Sequence, residues 1–340
     1  MTYVMKSAKS HMSILWSRVP IDEALKDPRL TTEQKAKLEQ AKEARDFALS
    51  HIRLKPSDNY TRFSYVDRPY VSYVVSAAPK WKLEHHEWSY PIVGKMPYRG
   101  FASEEDAKAE QGSLDKENLD TYLRGVSAYS TLGWFEDPIL STMLSSSEQG
   151  LVDVIIHETT HATLYIKNSA DFNERLAVFV GNKGTEEFYL AKEGADSPTV
   201  AKIKAFNHDD ALFSAFIGPK IQELKSWYAQ LPETERQEER RKEKFKAIQE
   251  DFEKNLLPRM KTEAYKRFPR LDLNNARLLY FKTYMTDLSD FEKLYASTGN
   301  SWELFLKCAK TLESAKKPED GLKELLKKIE TSSVQEICRS

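Results

Sequence analysis

No stretch of the sequence stays apolar over anything near the roughly 20 residues that a membrane-spanning helix needs. Charge of neither sign dominates: 51 Lys and Arg stand against 52 Asp and Glu, a formal net charge of −1. That balance argues against nucleic acid as the main partner, because phosphate binding needs a basic excess on some face. Cysteine is scarce. Cys308 and Cys338 lie far apart and away from any histidine cluster, so the spacing reads as two unpaired thiols, with a disulfide or metal role as the lesser alternative. No apolar segment follows Lys6, Lys9 and His11, so the first twelve positions do not read as a secretory signal. Internal repeats and low-complexity tracts are absent. What remains is 340 residues of mixed composition, enough for a sizeable buried core.

Residues 13–53 read as helical. Pro20 to Ala24 looks like a helix start, and Thr31 with Gln34 has capping-box spacing for a second helix. Residues 54–135 read as a small mixed sheet. Tyr70 to Ala78, Trp88 to Val93 and Tyr122 to Thr131 are the candidate strands, punctuated by Gly94, Gly100, Gly125 and Gly133. Residues 138–190 read as two helices, Ser146 to Tyr165 and one opening at Phe172, and residues 191–340 as a helical C-terminal part broken near Leu231-Pro232. The run Glu233 to Lys254, dense in both signs, reads as a solvated helix face or a helical hairpin. The expected architecture is α+β and mainly helical. A small mixed sheet packs beside a zincin-type metal helix pair within one domain, 1–340.

The chemistry-bearing motif is His157-Glu158-Thr159-Thr160-His161. Residues four apart on an α-helix share one face, so both imidazoles can reach a single Zn2+ at about 2.0–2.1 Å. Glu158 then points to the flank of the metal, where a general base must sit to take a proton from water activated there. The flanking Leu151, Val152, Val154, Ile155 and Ile156 are apolar nearly all round, so the helix is read as buried. Capping-box spacing at Ser145/Glu148 and Ser146/Gln149 marks its start. Burying two histidines and a glutamate is costly without partners, and one metal ion supplies a partner for all three. The alternative is a pair of core histidines.

Catalytic zinc usually keeps three protein ligands and one open position. Glu174 is the leading third ligand, since a short loop (Ile166 to Ala170) lets the next helix turn back. The competing reading pairs Asp171 with Glu174 as a helix N-cap. Asp171, Glu186, Glu187 and His208 are the other ligand candidates.

Several blocks resemble a bacterial family of predicted aminopeptidases, gluzincin-like HExxH zinc peptidases. They are the metal motif with Asn173-Glu174, Ala177, Gly181 and Gly184; Ile14 to Ile21; Asp67 to Tyr70 with Ala77-Ala78-Pro79; Tyr98-Arg99-Gly100; Ala128 to Phe135; and Asn274 to Tyr284. The resemblance spans most of the chain. It implies His157, His161 and Glu174 as ligands of one Zn2+, Glu158 as catalytic base, and a peptide substrate. Two departures stand out. The gap from His161 to Glu174 is short, and Val178 stands where better-known gluzincins often place an Asp or Ser. Support for the ligands must then come from elsewhere. The resemblance further implies the cell envelope or periplasm, with a lipid anchor on a removed leader as one arrangement. The cytoplasm stays open as the other compartment.

A peptidase needs more than its metal. A second oxyanion donor is expected, and Tyr284 and Tyr129 are the candidates among sixteen tyrosines because each lies in a resembling block. Ser130 to Phe135, with Gly133 and Trp134, is a candidate edge strand for a peptide backbone. Glu136 and Asp137 could take a free α-amino group, or form an ordinary acidic turn before Pro138. Arg99 could take a substrate carboxylate, which would favour the opposite exopeptidase polarity. The leading function is an aminopeptidase on short peptides. A zinc endopeptidase and a non-catalytic zinc-containing binding module are the alternatives.

Overall fold

A computed structural model describes residues 12–90, 94–128, 131, 136–284 and 287–338. The chain is mainly helical with small mixed sheets. Among the described residues, three small sheets stand where a single one was expected. Strands β1 (Val19–Pro20), β2 (Arg62–Ser64) and β8 (Ile139–Leu140) form one sheet, with β1 antiparallel and β2/β8 parallel. The second has the order β6 (Tyr98–Phe101), β3 (Ser72–Pro79), β7 (Leu119–Val126), and β4 (Trp88–Tyr90) with β5 (Gly94–Met96) make the third. The β2/β8 pairing joins segments some seventy residues apart, which no local pattern in the sequence announces.

The contacts group into two compact units that interleave along the chain. Unit 1 is Met1–Ser72, Gly125–Lys192 and Leu288–Ser340; unit 2 is Tyr73–Arg124 and Glu193–Asp287. In unit 1, α1 (Ile21–Ala24) is a single turn and α2 (Thr32–Ser50) opens with the full capping box, Thr31 and Gln34 each bonding the other's backbone N–H. Leu38, Ala41, Ala44 and Ala48 on α2 are fully buried, and their small size lets this helix pack closely on α4 (Glu148–Thr163). The start of α4 differs from expectation. Its cap is Ser147, which accepts from the Gly150 N–H, while Ser145 closes a preceding 3-10 turn.

Helix α5 (Ala170–Glu193) follows α4 in the chain. Its Phe172 and Phe179 pack with Phe291 of α9 (Ser289–Ser297), and Phe179 also meets Phe305 of α10 (Trp302–Thr311). Helix α11 (Pro318–Ile329) completes this bundle. Its Glu319 receives Arg175 of α5, whose other guanidinium edge grips Asp290 at 2.8 Å. The reading of two unpaired thiols is corrected here: Cys308 and Cys338 form a disulfide with Cα atoms 4.8 Å apart. Cys308 sits on α10 and Cys338 just after α12 (Val334–Ile337), and the turn back through α11 brings them together.

Unit 2 contains α3 (Glu104–Lys116), α6 (Pro198–Gln230), α7 (Glu238–Asp251) and α8 (Asn275–Tyr284). Phe213, Phe252, Tyr265, Phe268 and Phe281 form its aromatic core. Arg241 of α7, nearly fully buried, is paired with Asp120 and Glu238, and the Asp120 carboxylate also accepts from the Asn275 N–H at 2.8 Å. The acidic–basic helix α7 thus presents charge outward except at this one tied arginine. No described helix is long and apolar enough to cross a membrane.

Candidate metal centre

The site begins with spacing on two helices. His157 and His161 are one turn apart on α4, and their Nε2 atoms stand 3.1 Å from each other. On α5, Glu174, Ala177, Gly181 and Gly184 recur at helical intervals and so share one stripe. That stripe is small where it meets α4. A Cβ on Gly184 would lie 2.6 Å from Ile52 Cδ1 and 3.2 Å from Ile156 Cδ1, and one on Gly181 would lie 2.5 Å from Asp153 Oδ1. The two glycines therefore allow α5 close enough for Glu174 to reach the histidines. Its Oε2 is 3.4 Å from His157 Nε2 and 3.7 Å from His161 Nε2.

The connection between the helices is fixed by Asn173. Its side chain accepts from the Ile166 N–H at 2.9 Å and donates to the Ile166 carbonyl at 2.8 Å. The Glu174 carboxylate meets the two histidines, not a helix N-cap, and its helix opens at Ala170. Among the described residues, His157, His161 and Glu174 are the group of potential ligands whose donor atoms gather, all within 4.8 Å of one another. Bonds of about 2.0–2.1 Å at tetrahedral angles put ligand atoms about 3.3–3.4 Å apart. The separations of 3.1, 3.4 and 3.7 Å bracket that figure. Two imidazole nitrogens and one carboxylate oxygen are also a donor set that suits Zn2+.

The electrostatics are those of crowded, shielded charge. Burial works against a charge on His157, but the Glu174 carboxylate, with Glu158 and Asp153 nearby, raises it to about 9. Burial also opposes the Glu174 charge, yet the facing imidazoles hold its carboxyl far below the usual carboxylate range. Glu158 is pushed up, chiefly by burial and further by Glu174, against the pull of both histidines. A divalent cation at the three donor atoms would answer the negative excess directly.

Two further acids stand close by. Asp153, one turn before His157, carries a buried Oδ1 with no hydrogen-bond partner among the described residues. Burial raises it to about 6, with His157 opposing and Glu158 adding. Asp137 is nearly fully buried. Its Oδ2 accepts from the Thr131 N–H (2.8 Å) and hydroxyl (3.0 Å), while Oδ1 lacks a partner among the described residues. It too is raised to about 6 by burial, against the Thr131 bonds, and Glu158 contributes. Sequence reading passed over Asp153 as part of an apolar run, although its place four before His157 was a signal. Tyr165 was missed as well. Its ring sits edge-on to His161 at 6.4 Å, and its hydroxyl is pushed up by burial and then by Glu174.

The other candidates distribute as follows. Glu136 is exposed and paired with Arg18 at 3.5 Å. Arg99 lies in unit 2, tied to Glu110 at 3.1 Å. Tyr284, also in unit 2, has its hydroxyl 3.4 Å from Arg124 Nη2. Tyr129, Gly133 and Trp134 lie outside the described residues. Of the other ligand candidates, Glu187 accepts from Trp302 Nε1 (2.7 Å) and the Tyr295 hydroxyl (3.0 Å), and Glu186 faces Lys183. His208 bonds Asp209 in unit 2. Asp171 stands on the first turn of α5, in the electrostatic reach of Glu319.

No curated protein and no solved structure matches the chain. The family model described as "Putative aminopeptidase" matches residues 2–323, nearly the whole length, and the chain belongs to that family.

Proposed function

We propose that the chain is a zinc-dependent peptidase that removes N-terminal residues from short peptides. One observation carries the reading: His157 Nε2, His161 Nε2 and Glu174 Oε2 converge at separations suited to a single tetrahedral ion. Helices α4 and α5 then act as a zincin-type pair of the gluzincin kind, with those three residues as ligands. A zinc ion held there supplies a Lewis acid that acidifies water and polarises the scissile carbonyl. Glu158 takes the proton of the attacking water and passes it to the leaving amine.

Tyr165 is our choice for the second oxyanion donor, because it packs on His161 in the same unit. Tyr129 is the alternative for that post. The free substrate amine is assigned to Asp137, whose Oδ1 is buried and unpartnered among the described residues, with Glu136 beside it. Residues 130–135, including Gly133 and Trp134, are assigned to the peptide backbone. Arg99, on β6, is engaged by Glu110 of α3 and is assigned no substrate role. The disulfide fits an oxidising compartment, which favours the cell envelope or periplasm.

Paired peptides with free and acetylated N-termini test the polarity. An aminopeptidase cuts the free peptide at least a hundredfold faster. Equal rates would assign the site to an endopeptidase, and zinc binding without hydrolysis of either peptide would leave a binding module.

A further inference from the structure

Arginines with shielded guanidiniums in this chain are usually matched by acids. Arg241 has Asp120 and Glu238, Arg175 has Asp290 and Glu319, and Arg99 has Glu110. Arg124, on β7 of unit 2, is different. It is half-buried, and no carboxylate among the described residues pairs with it. The sequence positions outside the description carry no Asp or Glu, so no acidic side chain there can complete the pair.

What surrounds Arg124 is aromatic. Its Cζ lies 5.0 Å from the Tyr280 ring centre and 5.4 Å from that of Tyr284, one turn apart on α8. Tyr280 stacks toward Tyr284 at 4.9 Å and toward Tyr122, two residues before Arg124 on the same strand face, at 5.4 Å. Ring contacts use the flat faces of a guanidinium, whereas its five N–H donors point outward in the plane. One donor reaches the Tyr284 hydroxyl at 3.4 Å, a long bond. Among the described residues, no other acceptor bonds the two Nη groups.

We propose that Arg124, with the Tyr284 hydroxyl and the Tyr280 ring, is a receptor for a carboxylate, namely the C-terminal carboxylate of a short peptide. A planar monoanion matches a planar monocation bidentately, and the Tyr280 ring suits the aliphatic part of a terminal residue. The single charge of Arg124 is matched by a monoanion; the neighbouring Arg277 lies over the Tyr122 ring at 4.6 Å and donates to the Asp272 carbonyl. The choice of a peptide as the carrier rests on the peptidase reading; the receptor rests on Arg124.

The test is calorimetric titration of the full chain, with chelator present so that neither peptide is cut, with trialanine and with trialanine amide, a pair differing only at the C-terminus. Wild type is expected to bind the acid at least tenfold more tightly. Arg124→Gln is expected to erase that preference while leaving amide affinity unchanged. Tyr284→Phe, which removes one hydroxyl, is expected to reduce it two- to fivefold, and serves if the arginine variant does not fold. Equal binding of acid and amide by wild type, binding of neither, or a preference that survives Arg124→Gln overturns the proposal. So does displacement of trialanine by inorganic phosphate but not by acetate. An intact preference without hydrolysis when zinc is supplied would sink the peptidase reading alone. Hydrolysis with equal affinity for acid and amide would sink the receptor alone.

Discussion

Asp153 Oδ1 occupies the space above Gly181, 2.5 Å from where a Cβ on that glycine would stand. The contact explains why α5 carries glycine at a helical position, where glycine otherwise costs about 1 kcal/mol against alanine. Gly181→Ala should therefore reverse the usual gain. We expect a loss of about 1–3 kcal/mol on urea unfolding, because Asp153 or α5 must shift. Weaker metal uptake should accompany it, since Glu174 rides on the same helix. An alanine variant as stable as wild type would show that the approach of α5 to Asp153 is not tight.

The Asp153 carboxyl gives the metal-free protein a signature in pH. Its ordinary value of 3.8 is raised to about 6, burial being the main cause. Folding thus favours the protonated form. The associated stability is complete below pH 3.8 and is lost as the pH rises through about 6. Asp153→Asn removes the titration. With chelator present, the variant should gain on wild type by on the order of 2–3 kcal/mol between pH 4 and pH 7. A difference that stays constant with pH would contradict the assignment.

The disulfide makes a separate prediction. Closing a loop of about 30 residues restricts the unfolded chain by about 3–4 kcal/mol in the loop-entropy account. Cys308→Ser or reduction should lower stability by up to that amount. Thiol titration of the unreduced, unfolded protein should find no free thiol. Two free thiols would remove the bond and, with it, the argument for an oxidising compartment.

What the sequence revealed was what is local. Thr31 and Gln34 form their capping box within four residues, and the spacing of His157 and His161 places both rings on one helical face whatever surrounds them. Gly181 and Gly184 were visible as part of a family pattern, but their reason depends on Ile156 and Asp153 of another helix. Pairings between distant segments were out of reach. Phe63 with Ile139 and Cys308 with Cys338 are brought together by the intervening fold, so neither the division into three sheets nor the disulfide could be read from spacing. Asp153 is the instructive omission. It interrupts an apolar run, and a buried acid one turn from a histidine has little use except to that histidine's surroundings.

The central claim concerns one metal ion and one base. Metal content after growth in zinc, together with hydrolysis of a free-amino peptide library, should be measured for wild type, Glu158→Gln and Glu174→Gln. We expect one zinc per chain in wild type and in Glu158→Gln, with at least a thousandfold loss of activity in the latter, and weakened zinc retention in Glu174→Gln. Absence of zinc from wild type, or undiminished hydrolysis by Glu158→Gln, would contradict the account.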